Sequence, residues 1–127
     1  MSPSQGSADN LAQRIDNIER GYEYLLAYAA QGRLDDAGSD ARKSLVAMRD
    51  AIDGLPRLAA AALTGAGEGV LPFLHALERD AAAALGIVEL ALSRPRISSL
   101  LVDNLNASVH VRALLTDLFL VEQSLAG

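Results

Sequence analysis

The chain has 127 residues, half of them hydrophobic but only 4% aromatic, with no cysteine, no tryptophan and a formal net charge of −5. That length fits one compact domain. The lack of cysteine excludes a disulfide scaffold, thiolate metal sites and a cysteine nucleophile, and the acidic balance excludes the basic face that nucleic-acid binding requires. The apolar mass is mostly alanine and leucine, which cost least in a helix, so an all-α protein is expected.

Residues 1–8 are polar and read as a disordered N-terminal tail, lacking the charged and apolar regions of a signal peptide. Residues 9–127 are expected to form a single helical-bundle domain. The first helix is expected from about Asp9 to Gln31, with Ser7 or Asp9 as its cap. Leu11, Ile15, Ile18, Tyr22, Leu25 and Ala29 recur at steps of four and three, the spacing of a buried seam. Gly32 supplies its stop. Gly21 lies inside this helix and weakens it by up to about 1 kcal/mol relative to alanine, a cost that a close helix crossing would explain.

A second helix is expected over Leu34 to Asp53, with Leu34, Ala37, Ala41, Leu45, Met48 and Ile52 on its seam. Gly38 and Ser39 weaken its first turns and move the better start towards Asp40. Gly54 and Pro56 end it. Leu55 to Leu63 reads as a short helix or connector, and Thr64 to Gly69 as a flexible loop. The third long helix is expected from Leu71 to Ser93, with Pro72 tolerated in its first turn and Leu74, Leu77, Ala81, Leu85, Val88 and Leu92 on its seam. Pro95 breaks the run. A last helix is expected over Ser98 to Ala126, capped by Ser98 or Ser99. The predicted architecture is an antiparallel four-helix bundle with a short extra helix or connector between helices two and three.

The longest apolar run, Ala81 to Val88, is far shorter than the roughly 20 residues of a membrane helix, so a cytoplasmic protein with no membrane partner is expected. Lys43 is the only lysine among 11 basic residues, a skew usual in proteins of GC-rich bacterial genomes.

The motifs for chemistry are incomplete. A di-iron bundle needs Glu-x-x-His pairs; here the order is reversed at His75 and Glu78, and Ala107 stands three residues before His110. No metal and no cofactor is therefore expected. A histidine phosphotransfer role would use His110, but Ala113 and Leu114 occupy positions where such domains usually carry Lys and Gly. Leu11 to Leu26 is similar to the first helix of the helical chorismate mutases, yet Ala29 and Ala30 lie where their substrate-holding arginine is expected. Gly65 to Gly69 is glycine-rich but has no preceding strand and no following lysine, so it is a turn and not a phosphate loop. Asp35, Asp36 and Asp40 read as acids at the positive end of helix two, and Arg94 and Arg96 as donors to the carbonyls ending helix three. No catalytic residue is assigned.

The remaining peculiarity is the last helix, which carries two apolar stripes. One is Leu100, Ala107, Val111, Leu114, Leu118, Val121 and Leu125; the other is Leu101, Leu105, Leu115 and Phe119. A helix with one buried face does not need this width. Leu114, Leu115, Leu118, Phe119, Val121 and Leu125 are therefore the expected partner-binding residues, either in a groove for a partner helix or in a homodimer seam continuous with the core. A small apolar-ligand bundle around Ala81 to Ala84 is the third reading.

Tyr24 to Arg33 (YLLAYAAQGR) followed by Leu34-Asp35-Asp36, then Arg42-Lys43-Ser44-Leu45, then the Pro95 break before an amphipathic last helix, together give a layout. It resembles that of the four-helix flagellar and type III export chaperones. Leu34 stands near the place where that group often has a tryptophan. The resemblance implies a non-enzymatic protein that shields an amphipathic helix of its client.

Overall fold

The computed structural model describes residues 3–126. Among them the chain is entirely helical: α1 (Pro3–Ala29), α2 (Ala41–Ile52), α3 (Leu55–Ala62), a single 3-10 turn (Glu68–Val70), α4 (Leu71–Leu92), α5 (Ser99–Ala107) and α6 (Val109–Ala126). The all-α bundle holds, and so does the short extra helix, which is α3. The last segment differs, being two helices instead of one. At the N-terminus α1 runs from Pro3, inside the stretch read as a tail; Met1, Ser2 and the side chains of the proposed caps Ser7 and Asp9 lie outside the described residues.

Leu11, Ile15, Ile18 and Leu25 of α1 are buried as their spacing predicts. Each fully buried aliphatic side chain of this kind contributes about 1.5–3 kcal/mol. The seam ends on Tyr28, which is fully buried, while Ala29 is only partly so. Helix α2 begins at Ala41 with Asp40 at its cap position, although the Asp40 side chain makes no capping bond. Leu34 is left in the preceding loop, 86% exposed, and not on the seam expected of it. Gly54 turns the chain from α2 into α3 with φ of +77°, a left-handed conformation that a side chain would strain. Pro56 follows in the first turn of α3.

Helix α1 packs on α2, α3 and α5, whereas α4 packs on α2 and α6. The crossing of α1 and α2 is close at Gly21: a Cβ there would clash with Met48 Cγ and lie 2.8 Å from its sulfur. Met48 is itself buried, so it has little room to yield. Gly21→Ala therefore gains about 1 kcal/mol of helix propensity but meets overpacking of about 1–3 kcal/mol. The expected result in urea unfolding is net destabilisation. In a double-mutant cycle with Met48→Ala the two substitutions should be strongly non-additive, with Gly21→Ala becoming neutral or stabilising once the thioether is gone.

The break between α5 and α6 lies at Ser108, whose ψ of 130° takes the backbone out of the helix. Asn106 is buried and donates through Nδ2 to the Leu25 carbonyl on α1 (3.1 Å). Ser108 Oγ accepts from the His110 N–H (3.2 Å), starting α6. Polar side chains that bond to nearby backbone compete with helix continuation in this way. The break lets α5 lie on α1 and α6 on α4, so each apolar stripe is divided between two neighbours.

Candidate functional site

This division of labour bears on the partner-binding set. Leu114, Leu115, Leu118 and Val121 are buried in the bundle core; Phe119 and Leu125 stay exposed, at 50% and 45%. Four of the six are thus core residues in this chain, because α6 lays that face on α4. The apolar surface that remains exposed on α6 is Val109 in its first turn and Phe119, Leu120 and Leu125 further along.

Phe119 sits at the edge of a groove of about 300 Å³ between α1 and α6, lined by Glu19, Tyr22, Glu23, Arg112, Leu115, Thr116 and Phe119. The groove exists because α6 packs chiefly on α4 and touches α1 only sparsely. Leu115 closes its floor, 8% exposed. Tyr22 and Phe119 give it aromatic walls, and carboxylates stand on the α1 side. Its size falls at the lower bound of small-molecule sites, about 300–1,000 Å³, but it is an open trough between helices and so suits an elongated occupant.

Two acidic pairs bracket α6. Glu19 of α1 faces Glu122, and its carboxyl is pushed up to about 7 by hydrogen bonding with Glu122, then by burial and by the charges of Glu122, Asp16 and Glu23. Asp117 faces Asp80 of α4 and is likewise raised to about 7, first by burial and then by bonding with Asp80. Glu19 Oε1 and Asp117 Oδ2 are both buried without a hydrogen-bond donor. Such pairs share a proton because two adjacent carboxylates cannot both ionise cheaply. Between the ordinary carboxylate range and about 7 the folded chain holds protons that the unfolded chain has released, so stability falls as pH rises. The stabilisation is complete below about pH 4 and lost by about pH 7. Melting followed by circular dichroism should give a higher Tm at pH 5.5 than at pH 8, and Asp117→Asn should flatten that slope.

At one end of the bundle a polar cluster joins the α1–α2 and α4–α5 loops. The Tyr28 hydroxyl donates to the Ile97 carbonyl and lies 3.0 Å from that of Asp35; burial pushes this phenol's pKa up. Ser99 Oγ donates to the Tyr28 carbonyl (2.7 Å) and accepts from the Arg33 N–H (2.8 Å), while the Ser99 N–H donates to the Arg33 carbonyl (2.9 Å). Asp36 accepts from the Ile97 N–H (2.9 Å), a bond that, with help from Arg42, holds its carboxyl below the usual range despite burial. Arg42 donates to the Leu92 and Arg94 carbonyls (3.0 and 2.8 Å). Arg42, and not Arg94 or Arg96, therefore satisfies the end of α4. Asp36 likewise ties down the α4–α5 loop instead of capping α2. The cap at α5 is Ser98, which accepts from the Leu101 N–H (3.1 Å) as expected.

The histidines are not brought together with other ligands: among the described residues no three His, Asp or Glu side chains converge as a metal site. His75 and His110 are both exposed. His110 lies in the first turn of α6, whereas the phosphotransfer reading places it on a mid-helix face. Ala81 and Ala84 are buried in the core, and the depression beside Ala81, Ala82 and Leu85 is only about 170 Å³, below the usual ligand range. No helix among the described residues is long and apolar enough to cross a membrane.

Sequence reasoning missed Glu19, Tyr22 and Glu23 as groove residues. The signal available was that Glu19, Tyr22 and Leu26 lie on one helix face at steps of three and four; Leu26 is 47% exposed. Neither a known protein family, nor a curated protein, nor a solved structure matches the chain.

Proposed function

We propose that the protein is a non-enzymatic helical interaction module that takes an amphipathic helix of a partner protein into the groove between α1 and α6. The observation that carries this reading is the trough itself: α1 and α6 touch only sparsely beside an apolar floor at Leu115, with Tyr22 and Phe119 left as aromatic walls. A helix laid there would cover Phe119 and complete the packing that α6 makes on its other side with α4. The layout shared with the export chaperones supports a client-shielding role, and the proposal includes a bacterial cytoplasmic setting.

The test is a photo-crosslinking amino acid placed at position 119 and, as control, at exposed Leu90 on α4, in the full chain in its native cells. Adducts with another protein, mapping to a helical segment, are expected from position 119 and not from position 90. Adducts only between two copies of the chain would replace this reading with a homodimer. No adduct from position 119 would overturn it.

A further inference from the structure

We infer that the occupant of the α1–α6 groove is a basic amphipathic helix that sets a lysine or arginine side chain against Glu19. This inference rests on the docking reading above and specifies the chemistry of the partner.

Charge complementarity carries it. Glu19 and Glu23 line the groove from α1. Glu122 of α6 adjoins Glu19, and Asp16 adds to the negative potential there. Of the two arginines on these helix faces, Arg20 is engaged by Asp16 at 2.9 Å. Arg112 lines the groove from α6 and is a single cation set against Glu19 and Glu23 in the lining and Glu122 beside it. Glu19 keeps a proton through its hydrogen bond with Glu122, its burial and the negative charges of Glu122, Asp16 and Glu23, a crowding of carboxyls that a cation would relieve. An incoming ammonium or guanidinium set against this carboxyl pair favours the carboxylate. The faces of Tyr22 and Phe119 add cation–π attraction for the same group. A second copy of this chain does not fit these terms. Its net charge is −5, so its approach to this acidic groove is opposed by like charge.

Docking of a cation here expels the Glu19 proton to solvent, so binding is coupled to pH. The groups that set this coupling are Asp16, Arg20 and Glu23 on α1 and Arg112 and Glu122 on α6. With Glu19 holding its proton up to about 7 in the free protein, affinity should rise about tenfold between pH 6 and pH 8.

The experiment uses the full chain and two fluorescent synthetic helices with the same leucine face, one with lysine and one with glutamate on its polar face. The lysine helix should bind at least about tenfold more tightly at low salt. Phe119→Asp is decisive for location: it adds a negative charge, so it would tighten binding that is merely electrostatic, but it should weaken binding in the groove. Glu19→Gln should weaken the lysine helix about tenfold at pH 8 and abolish the pH dependence. If both helices bind alike and Phe119→Asp releases both, the charge inference is overturned and the docking reading stands. If neither helix binds while position 119 still cross-links to a partner, the inference alone fails. If neither helix binds and no adduct forms, both fail. Tighter binding of the lysine helix to Phe119→Asp also overturns the inference.

Discussion

Leu118→Asp is expected to unfold the protein, while Phe119→Asp, one residue along the same helix, leaves it folded. Leu118 is fully buried, and removing a leucine from such a site costs about 2–5 kcal/mol. A carboxylate put in its place also loses its hydration without gaining a partner, a further penalty of several kcal/mol. Domains of this size have about 5–15 kcal/mol in hand, so the sum approaches or exceeds the whole stability. Phe119 is half exposed, and its aspartate variant keeps solvent contact; the expected cost is under about 1 kcal/mol. Far-ultraviolet circular dichroism and urea titration of the two variants check this directly. Equal loss of helicity in both would mean that Phe119 is part of the core and would remove the groove wall on which the functional reading stands.

Tyr28→Ala should be nearly as damaging, and Tyr28→Phe separates its causes. The ring is fully buried, stacks on Tyr24 with centroids 6.4 Å apart and lies 5.8 Å beneath the Arg33 guanidinium. Deleting such a ring costs about 3–5 kcal/mol. Removing only the hydroxyl leaves the Ile97 carbonyl buried without its donor, about 1–3 kcal/mol. The hydroxyl of Tyr24, by contrast, only accepts from the Asp40 N–H at an exposed position (2.9 Å), so Tyr24→Phe should cost less than Tyr28→Phe. Urea unfolding of the three variants should rank them in that order. In Tyr28→Phe, hydrogen exchange should quicken first at Ile97 and Ser99, because the Tyr28 hydroxyl holds the loop whose N–H groups bond to Asp36 and Arg33.

How far the sequence could be read depended on the range of the interactions involved. The steps of three and four from Leu11 to Leu25 and from Ala41 to Ile52 place those residues in the core because helical periodicity is local. Gly21 was legible as an anomaly within its own helix, and the reason, Met48, lies on the helix that crosses it. Ser98 could be read as a cap from its position, but Ser99, one residue on, joins Arg33 and Tyr28 across a gap of more than sixty positions. The same holds for Asp36: its local surroundings suggest a helix cap, and its partner is the Ile97 N–H.

The last helix shows the boundary most clearly. Its two apolar stripes are written in the chain, but α6 buries a single face, Val111, Leu114, Leu115, Leu118 and Val121, and leaves Phe119 half exposed. Composition and spacing therefore determined by themselves that this is an all-helical bundle and which residues are apolar on each turn. Only the tertiary structure decided what those faces meet. Asn106 spends its side chain on the Leu25 carbonyl, the chain turns at Ser108, and α5 and α6 find separate neighbours in α1 and α4. The same turn leaves α6 with only sparse contact to α1, which leaves the groove beside Phe119 and sets Glu122 by Glu19. Burial is a property of pairs of elements, and a single strand of letters specifies the pairs only through the folded chain.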